Sequence, residues 1–258
     1  MAPLRDAASY GKPKPKVVLP PVVKGDLTGK TVIVTGANIG LGFEAAKHFA
    51  TMNPAQLIIV CRSMEKAQAS IKQIEKETGY KNAEPMVLDL GKWSSISEHW
   101  TVIDILVENA AVGIPGNYVP TEDGWESIGA AFSASISSDA YLLNIMLVRK
   151  LAEHLPQNVV PVTLSPGFCV SGLRRWAVGE VAEQFKKMED ESAYTSEEGS
   201  RHIIYSAIGG KDEELRGAFM SYLEPAEISA WMLKVEMIEL FGKLDDRIPG
   251  IVAQYLKA

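Results

Sequence analysis

Residues 31–50 confine this chain to a narrow set of folds. Thr31, Val32, Ile33 and Val34 form a short, continuous β-branched run of the kind buried on both faces of a parallel sheet. Phe43, Ala46, Phe49 and Ala50 then recur at helical spacing. Between them lies TGANIGLG, residues 35–42. Its glycines are spaced for distinct purposes: Gly36 for a tight turn, Gly40 and Gly42 for close backbone approach to a pyrophosphate and close packing of helix on strand. The free N–H groups at the start of that helix face an anion held in the turn. A glycine triplet alone is a weak signal, but a strand before it and a helix after it make it a dinucleotide cradle.

A chain of 258 residues that is 47% hydrophobic can bury the core of one large α/β domain, and nothing requires a second. The formal net charge of −6 argues against a nucleic-acid partner, which calls for a basic face, and leaves a small-molecule substrate as the default. Cys61 and Cys169 suggest neither a disulfide framework nor a zinc site. None of His48, His99, His154 and His202 pairs with a Cys or Asp at ligand spacing, so no metal is expected. No apolar run has the length of a membrane span and the N-terminus lacks a signal-peptide core, so no membrane partner and a cytoplasmic address are expected. Residues 1–26, where Lys12, Lys14, Lys16 and Lys24 alternate with prolines, read as an extended tail. Residues 27–258 read as the single domain.

The second apolar run, residues 56–60, ends at Cys61, Arg62 and Ser63. Dinucleotide folds that prefer NAD place an acid here for the ribose 2′-hydroxyl, whereas a cation accommodates the 2′-phosphate of NADP. Arg62 stands at that place and no acid does, so the expected cofactor is NADP(H). Ser63 caps a helix that stops at Gly79. A third strand over residues 86–90 sets Asp89 at its carboxyl end, where it can accept from an adenine amino group. A fourth, residues 104–107, leads into Glu108, Asn109, Ala110 and Ala111.

TGANIGLG, CRS, LDL and VENAA, in that order, resemble the short-chain dehydrogenase/reductase family, whose pattern is TGxxxGxG, an adenine-side Asp, and NNAG after the fourth strand. The likeness continues through TEDGWE (121–126), LLNIMLVRKLAEHL (142–155), PGFCVS (166–171) and TSEEGSR (195–201), and looks closest to the fungal, NADP-preferring branch of secondary metabolism. It implies a Rossmann-like, doubly wound parallel α/β sheet. It also implies that Gly36, Asn38, Ile39, Gly40, Gly42, Arg62, Asp89 and Asn109 hold the cofactor, with Ser171 near the nicotinamide carboxamide. Members of the family move hydride between NADP(H) and a carbonyl or alcohol, using a Tyr as acid or base, a Lys four residues later, a Ser and an Asn.

Here the chain departs from that pattern. The family's Lys and Tyr positions are occupied by Tyr141 and Ser137, and its Asn position by Phe132. A parallel crossover with its next strand takes roughly thirty residues. The interval from Asn109 to Ser137 carries no β-rich run, so the family's fifth strand, with its catalytic Ser, is expected to be missing. The strand over residues 159–164 is then placed directly beside the fourth. Tyr141 starts the right helix and is the remaining candidate acid or base, yet Ile145 stands four residues on, where a cation would lower the phenol's pKa from near 10. The serines at 133, 135, 137 and 138 read as loop and cap, with Ser138 or Asp139 starting a helix that Pro156 ends. Thr195 and Glu198 form a capping box, residues 217–221 read as an edge strand, and residues 229–256 as closing helices.

Three readings stay open. The chain is an NADP(H)-dependent oxidoreductase of a small metabolite, or a catalytically degenerate NADP-binding pseudoenzyme or non-redox protein, or a shortened gene product. A homo-oligomer also stays open, because the family often dimerises through the two helices altered here.

Overall fold

The computed structural model describes residues 16–92, 102–111, 138–226 and 249. Four parallel strands, β1 (Thr31–Thr35), β2 (Gln56–Cys61), β3 (Ala83–Val87) and β4 (Ile105–Val107), form one sheet in the order β3-β2-β1-β4. Helix α1 (Gly40–Ala50) links β1 to β2, and α2 (Met64–Thr78) links β2 to β3. The strand order reverses at β1, and ligands of doubly wound sheets bind beyond the carboxyl ends of the strands at that switch. The fold is thus the expected Rossmann-like parallel sheet.

Apolar residues on both faces explain why β1 and β2 are continuous in sequence. Val32, Val34, Leu57 and Ile59 pack with Ala45, Ala46 and Phe49 of α1 and with Ala67 and Ile74 of α2. Ile33, Ile58 and Val60 form a separate cluster with Met86 and Leu88 on the other face. Ser63 Oγ accepts the Lys66 N–H at the start of α2, and Gly79 closes it at φ 78°, a left-handed value that glycine adopts without strain. The third strand starts earlier than its apolar run suggests, at Ala83, so Asp89 lies two residues past its end. Pro85 is tolerated within it because β3 is the outer strand of this sheet among the described residues, where a missing N–H costs no ladder bond.

Beyond β4 the next described elements are α3 (Ser138–His154), β5 (Thr163–Ser165), α4 (Glu180–Ser192), α5 (Ser196–Ile208) and α6 (Asp212–Leu215), followed by β6 (Phe219–Ser221) and β7 (Glu224–Pro225). Among the described residues β5 pairs in parallel with β6 and not with β4, which corrects the expected placement beside the fourth strand. The reason lies in residues 161–163. Pro161, which has no N–H to give, accepts the Gly217 N–H, and Thr163 donates to Ala218, which sets the register Thr163↔Phe219 and Leu164↔Met220. Nor is β6 an edge strand: it lies between β5 and β7. The hairpin to β7 turns at Tyr222 and Leu223, both at positive φ with no glycine to signal it, so the sequence conceals it.

Helix α5 joins the two sheets. It opens with the complete Thr195–Glu198 capping box, packs along α1 through Ile203 and Ile204, and touches both β5 and β6. Helix α3 is held at its C-terminal end by Arg216, whose guanidinium donates to the carbonyls of Ala152, Leu155, Pro156 and Val159. Residues 16–20 lie against the N-terminal end of α5. Lys16 pairs with Glu198 at 2.9 Å, the Val17 N–H donates to the Tyr194 hydroxyl, and Arg201 donates to the Pro20 carbonyl. Leu19 is buried with Cys169 and Tyr194. Phe132, Ser133, Ser135, Ser137 and, apart from residue 249, the closing helices expected over 229–256 lie outside the described residues.

Candidate functional site

The glycine turn leaves β1 at Thr35 and is held at both ends. Gly36 and Ala37 donate to the Val60 carbonyl, so the turn lies against the end of β2. The Thr35 hydroxyl donates to Val107 and accepts the N–H groups of Asn109 and Ala110, which ties it to the end of β4. The Asn109 side-chain amide donates to the carbonyls of Thr35 at 3.0 Å and Gly36 at 3.4 Å. This packing dictates two of the glycines. A Cβ at Gly36 would stand 2.8 Å from Ala110 Cα, and one at Gly42 would overlap the Asn109 amide. Gly40 differs: a Cβ there would meet nothing within 4 Å, and its φ of 62° is what calls for glycine.

Asn38 and Ile39 complete the turn. The buried Ser70 hydroxyl has one proton, shared between the Lys66 carbonyl at 2.9 Å and the Asn38 carbonyl at 3.3 Å, and this shared bond ties the turn to α2. Ile39 is the N-cap of α1, extended at φ −154°, and offers no side-chain cap. The first turn of α1 carries no acid, so no carboxylate there competes with an anion for its free N–H groups. Arg62 follows β2 directly, is exposed, and has no carboxylate partner among the described residues. Asp89 Oδ1 accepts the Gly91 N–H at 3.0 Å in a local turn.

The second half of the molecule reaches the same rim through residues 166–176. Phe168 and Val170 exchange backbone hydrogen bonds with Tyr194, and Gly167, at φ 77°, packs under the Tyr194 ring. Ser171 then caps a 3-10 turn, Gly172–Arg174, its hydroxyl accepting the Leu173 N–H. A Cβ at Gly172 would lie 3.3 Å from Ile39 Cδ1, so this turn sits against the glycine turn. A cavity of about 260 Å³ opens beside it, lined by Ser171, Gly172, Arg174, Arg175, Phe185 and Lys186 among others.

The structure therefore brings Gly36, Asn38, Ile39, Gly40, Gly42, Asn109 and Ser171 to one rim. Arg62 stands at the carboxyl end of the neighbouring strand β2, and Asp89 lies just past the end of β3. Sequence reasoning missed Thr35 and Ser70, which position the turn from behind. Their signal, a hydroxyl in the right register, is too common to read without coordinates.

The reacting half is different. Tyr141 lies in the first turn of α3, and its side chain is outside the description. Ile145, four residues on, is fully buried and apolar, so that position brings no cation to a phenol at 141. Burial pushes the Cys169 thiol up to about 12, which leaves it protonated and inert at neutral pH. Burial also lowers the pKa of His202, whose Nε2 has no hydrogen-bond partner among the described residues. Among the described residues no group of His, Cys, Asp and Glu has the arrangement of a metal site, and no helix is long and apolar enough to cross a membrane.

Residues 30–150 match the family model described as short chain dehydrogenase. The short-chain dehydrogenase/reductase dmxR8 of Cryptosporiopsis sp. is 25% identical over 91% of this chain and 96% of its own length. That alignment runs over 322 positions, more than the 258 residues of this chain, so dmxR8 carries internal segments that have no counterpart here. The short-chain dehydrogenase/reductase phmF of Phaeosphaeria nodorum is 37% identical, over 48% of this chain and 38% of its own. Among solved structures, L-sorbose reductase of Gluconobacter frateurii, complexed with NADPH and L-sorbose, superposes with a TM-score of 0.57 at 14% identity, covering 81% of this chain and 98% of that one.

Proposed function

Because this chain belongs to the short-chain dehydrogenase/reductase family, we propose that it holds NADP(H) in the rim around the glycine turn, as an oxidoreductase acting on a carbonyl or alcohol of a small metabolite. The observation that carries the nucleotide part is the uncapped, acid-free N-terminus of α1, set beside a turn fastened on three sides by Val60, Asn109 and Ser70. The residues present fit the group. Backbone N–H groups of the turn and of α1 would take the diphosphate. Arg62 would take the 2′-phosphate, and Asp89 the adenine amino group. Ser171 would face the nicotinamide side. When bound, the nicotinamide supplies or accepts hydride.

NADP(H) rather than NAD(H) is our reading of Arg62, and it is supported by the NADPH carried in the L-sorbose reductase structure. Arg62→Gln should lower NADPH affinity tenfold or more and leave NADH affinity unchanged, because only NADPH carries the phosphate that the guanidinium would meet. Calorimetric titration of both nucleotides checks this.

A second reading has its own observation in favour. With Ile145 buried where the cation of an acid–base pair would help Tyr141, the chain becomes a cofactor-holding protein that does not turn over. A panel of ketones and alcohols with NADPH or NADP+ separates the two readings. Hydride transfer that disappears in Tyr141→Phe supports the oxidoreductase, and tight NADPH binding without turnover supports the second.

A further inference from the structure

Two adjacent arginines in the 172–176 turn have opposite surroundings. Arg174 is committed: its guanidinium pairs with Glu189, donates to the Cys169 carbonyl at 2.5 Å, and lies over the rings of Phe168 and Phe185 at 4.6 and 5.7 Å. Arg175 is exposed and has no carboxylate partner among the described residues. Among the described residues its side chain makes one hydrogen bond, from Nη1 to the Gly172 carbonyl at 3.1 Å, and its other donors have no partner there. The head lies close to the glycine turn. A single point, the Cβ position of Gly172, lies 3.3 Å from Ile39 Cδ1 and 3.9 Å from Arg175 Nη1. Ile39 is the residue from which α1 departs with its N–H groups uncapped.

We infer that Arg175 is a further binding residue of this site, a guanidinium that closes over the diphosphate of a nucleotide held at the N-terminus of α1. The inference rests on the nucleotide reading above and adds a residue to it. The two features meet from opposite halves of the molecule. The helix end offers N–H donors and the positive end of its dipole, and the 172–176 turn offers a planar, permanently charged fork matched to phosphate oxygens. Gly172 keeps the gap between them narrow, because any side chain there would push against Ile39. Arg174 supports the arrangement from behind by fixing the turn to α4, so the loop need not be ordered when the anion arrives.

The experiment is calorimetric titration of wild type, Arg175→Gln and Arg62→Gln with NADPH and with NADH. Arg175→Gln should weaken both nucleotides by the same factor, about tenfold to a hundredfold, since both carry the diphosphate. Arg62→Gln should weaken NADPH alone. An Arg175→Gln protein that binds NADPH within twofold of wild type overturns the inference while leaving the nucleotide reading intact. A loss confined to NADPH also overturns it, because the side chain would then serve the 2′-phosphate. Wild type that binds neither nucleotide removes both. Arg175 is exposed, so the variant should fold; if its circular dichroism or thermal midpoint collapses, the side chain belongs to the scaffold and the inference fails.

Discussion

Asn109 and Gly42 work as one unit. The Asn109 amide fills the space that a Cβ at position 42 would need, and it bonds the carbonyls of Thr35 and Gly36. Gly42→Ala should therefore destabilise the fold by about 1–3 kcal/mol, the usual cost of overpacking. Asn109→Ala should cost about 1–3 kcal/mol through the unpaired carbonyls it leaves. Because each change removes part of what the other disturbs, the double variant should lose less than the sum, and urea denaturation of all four proteins reads the coupling. Removing a group that supports the turn from behind should also weaken NADPH without touching it: Ser70→Ala deletes the tie between α2 and Asn38 and should raise the NADPH dissociation constant several-fold, measured by titration.

At the scale of elements, what was legible in the sequence follows the range of the physics. Helix α2 could be read because its stops are local: Ser63 caps it and Gly79 ends it within a few residues of chain. The capping box of α5 is local in the same way. The partner of β5 could not be read, since it depends on Pro161 meeting Gly217 across the 55 residues between them. The β6–β7 hairpin was hidden because Tyr222 and Leu223 hold a turn that glycine or asparagine usually announces. The candidate site divides likewise: the glycines and Arg62 lie in one motif each, but Ser70 and Arg175 matter only through residues far away in the chain. Among these distant contacts, Arg216 holds the end of α3 by four carbonyls. Arg216→Ala should lower stability by about 1.5–3 kcal/mol, because charged donors to helix-end carbonyls are lost together, and denaturant midpoints check it.

Across the whole molecule, the segment 16–20 clasps α5 through charge, and that clasp responds to acid. Lys16 holds the Glu198 carboxyl below its ordinary value of 4.5, and Arg201 does the same for Glu197. A carboxylate with a lowered folded pKa contributes stability that is present above the unfolded value and lost as pH falls through the folded one. The clasp should therefore hold at neutral pH and loosen as the pH drops below 4.5. Hydrogen exchange at the Val17 amide, which donates to Tyr194, should accelerate over that window beyond the intrinsic pH effect. Glu198→Gln should remove most of the acid dependence.

The two cysteines are buried and free, and they divide between the sheets: Cys61 ends β2, and Cys169 lies in the loop that leaves β5. A maleimide reaches either sulfur only when its surroundings open, so the protein carries one native chemical clock in each half of its framework. If α5 binds the halves into one cooperative unit, both thiols should be labelled at the same rate in mild denaturant. If Cys169 runs ahead of Cys61, the half that carries Ser171 and Arg175 opens while the glycine turn stays closed, and nucleotide release would have its own door.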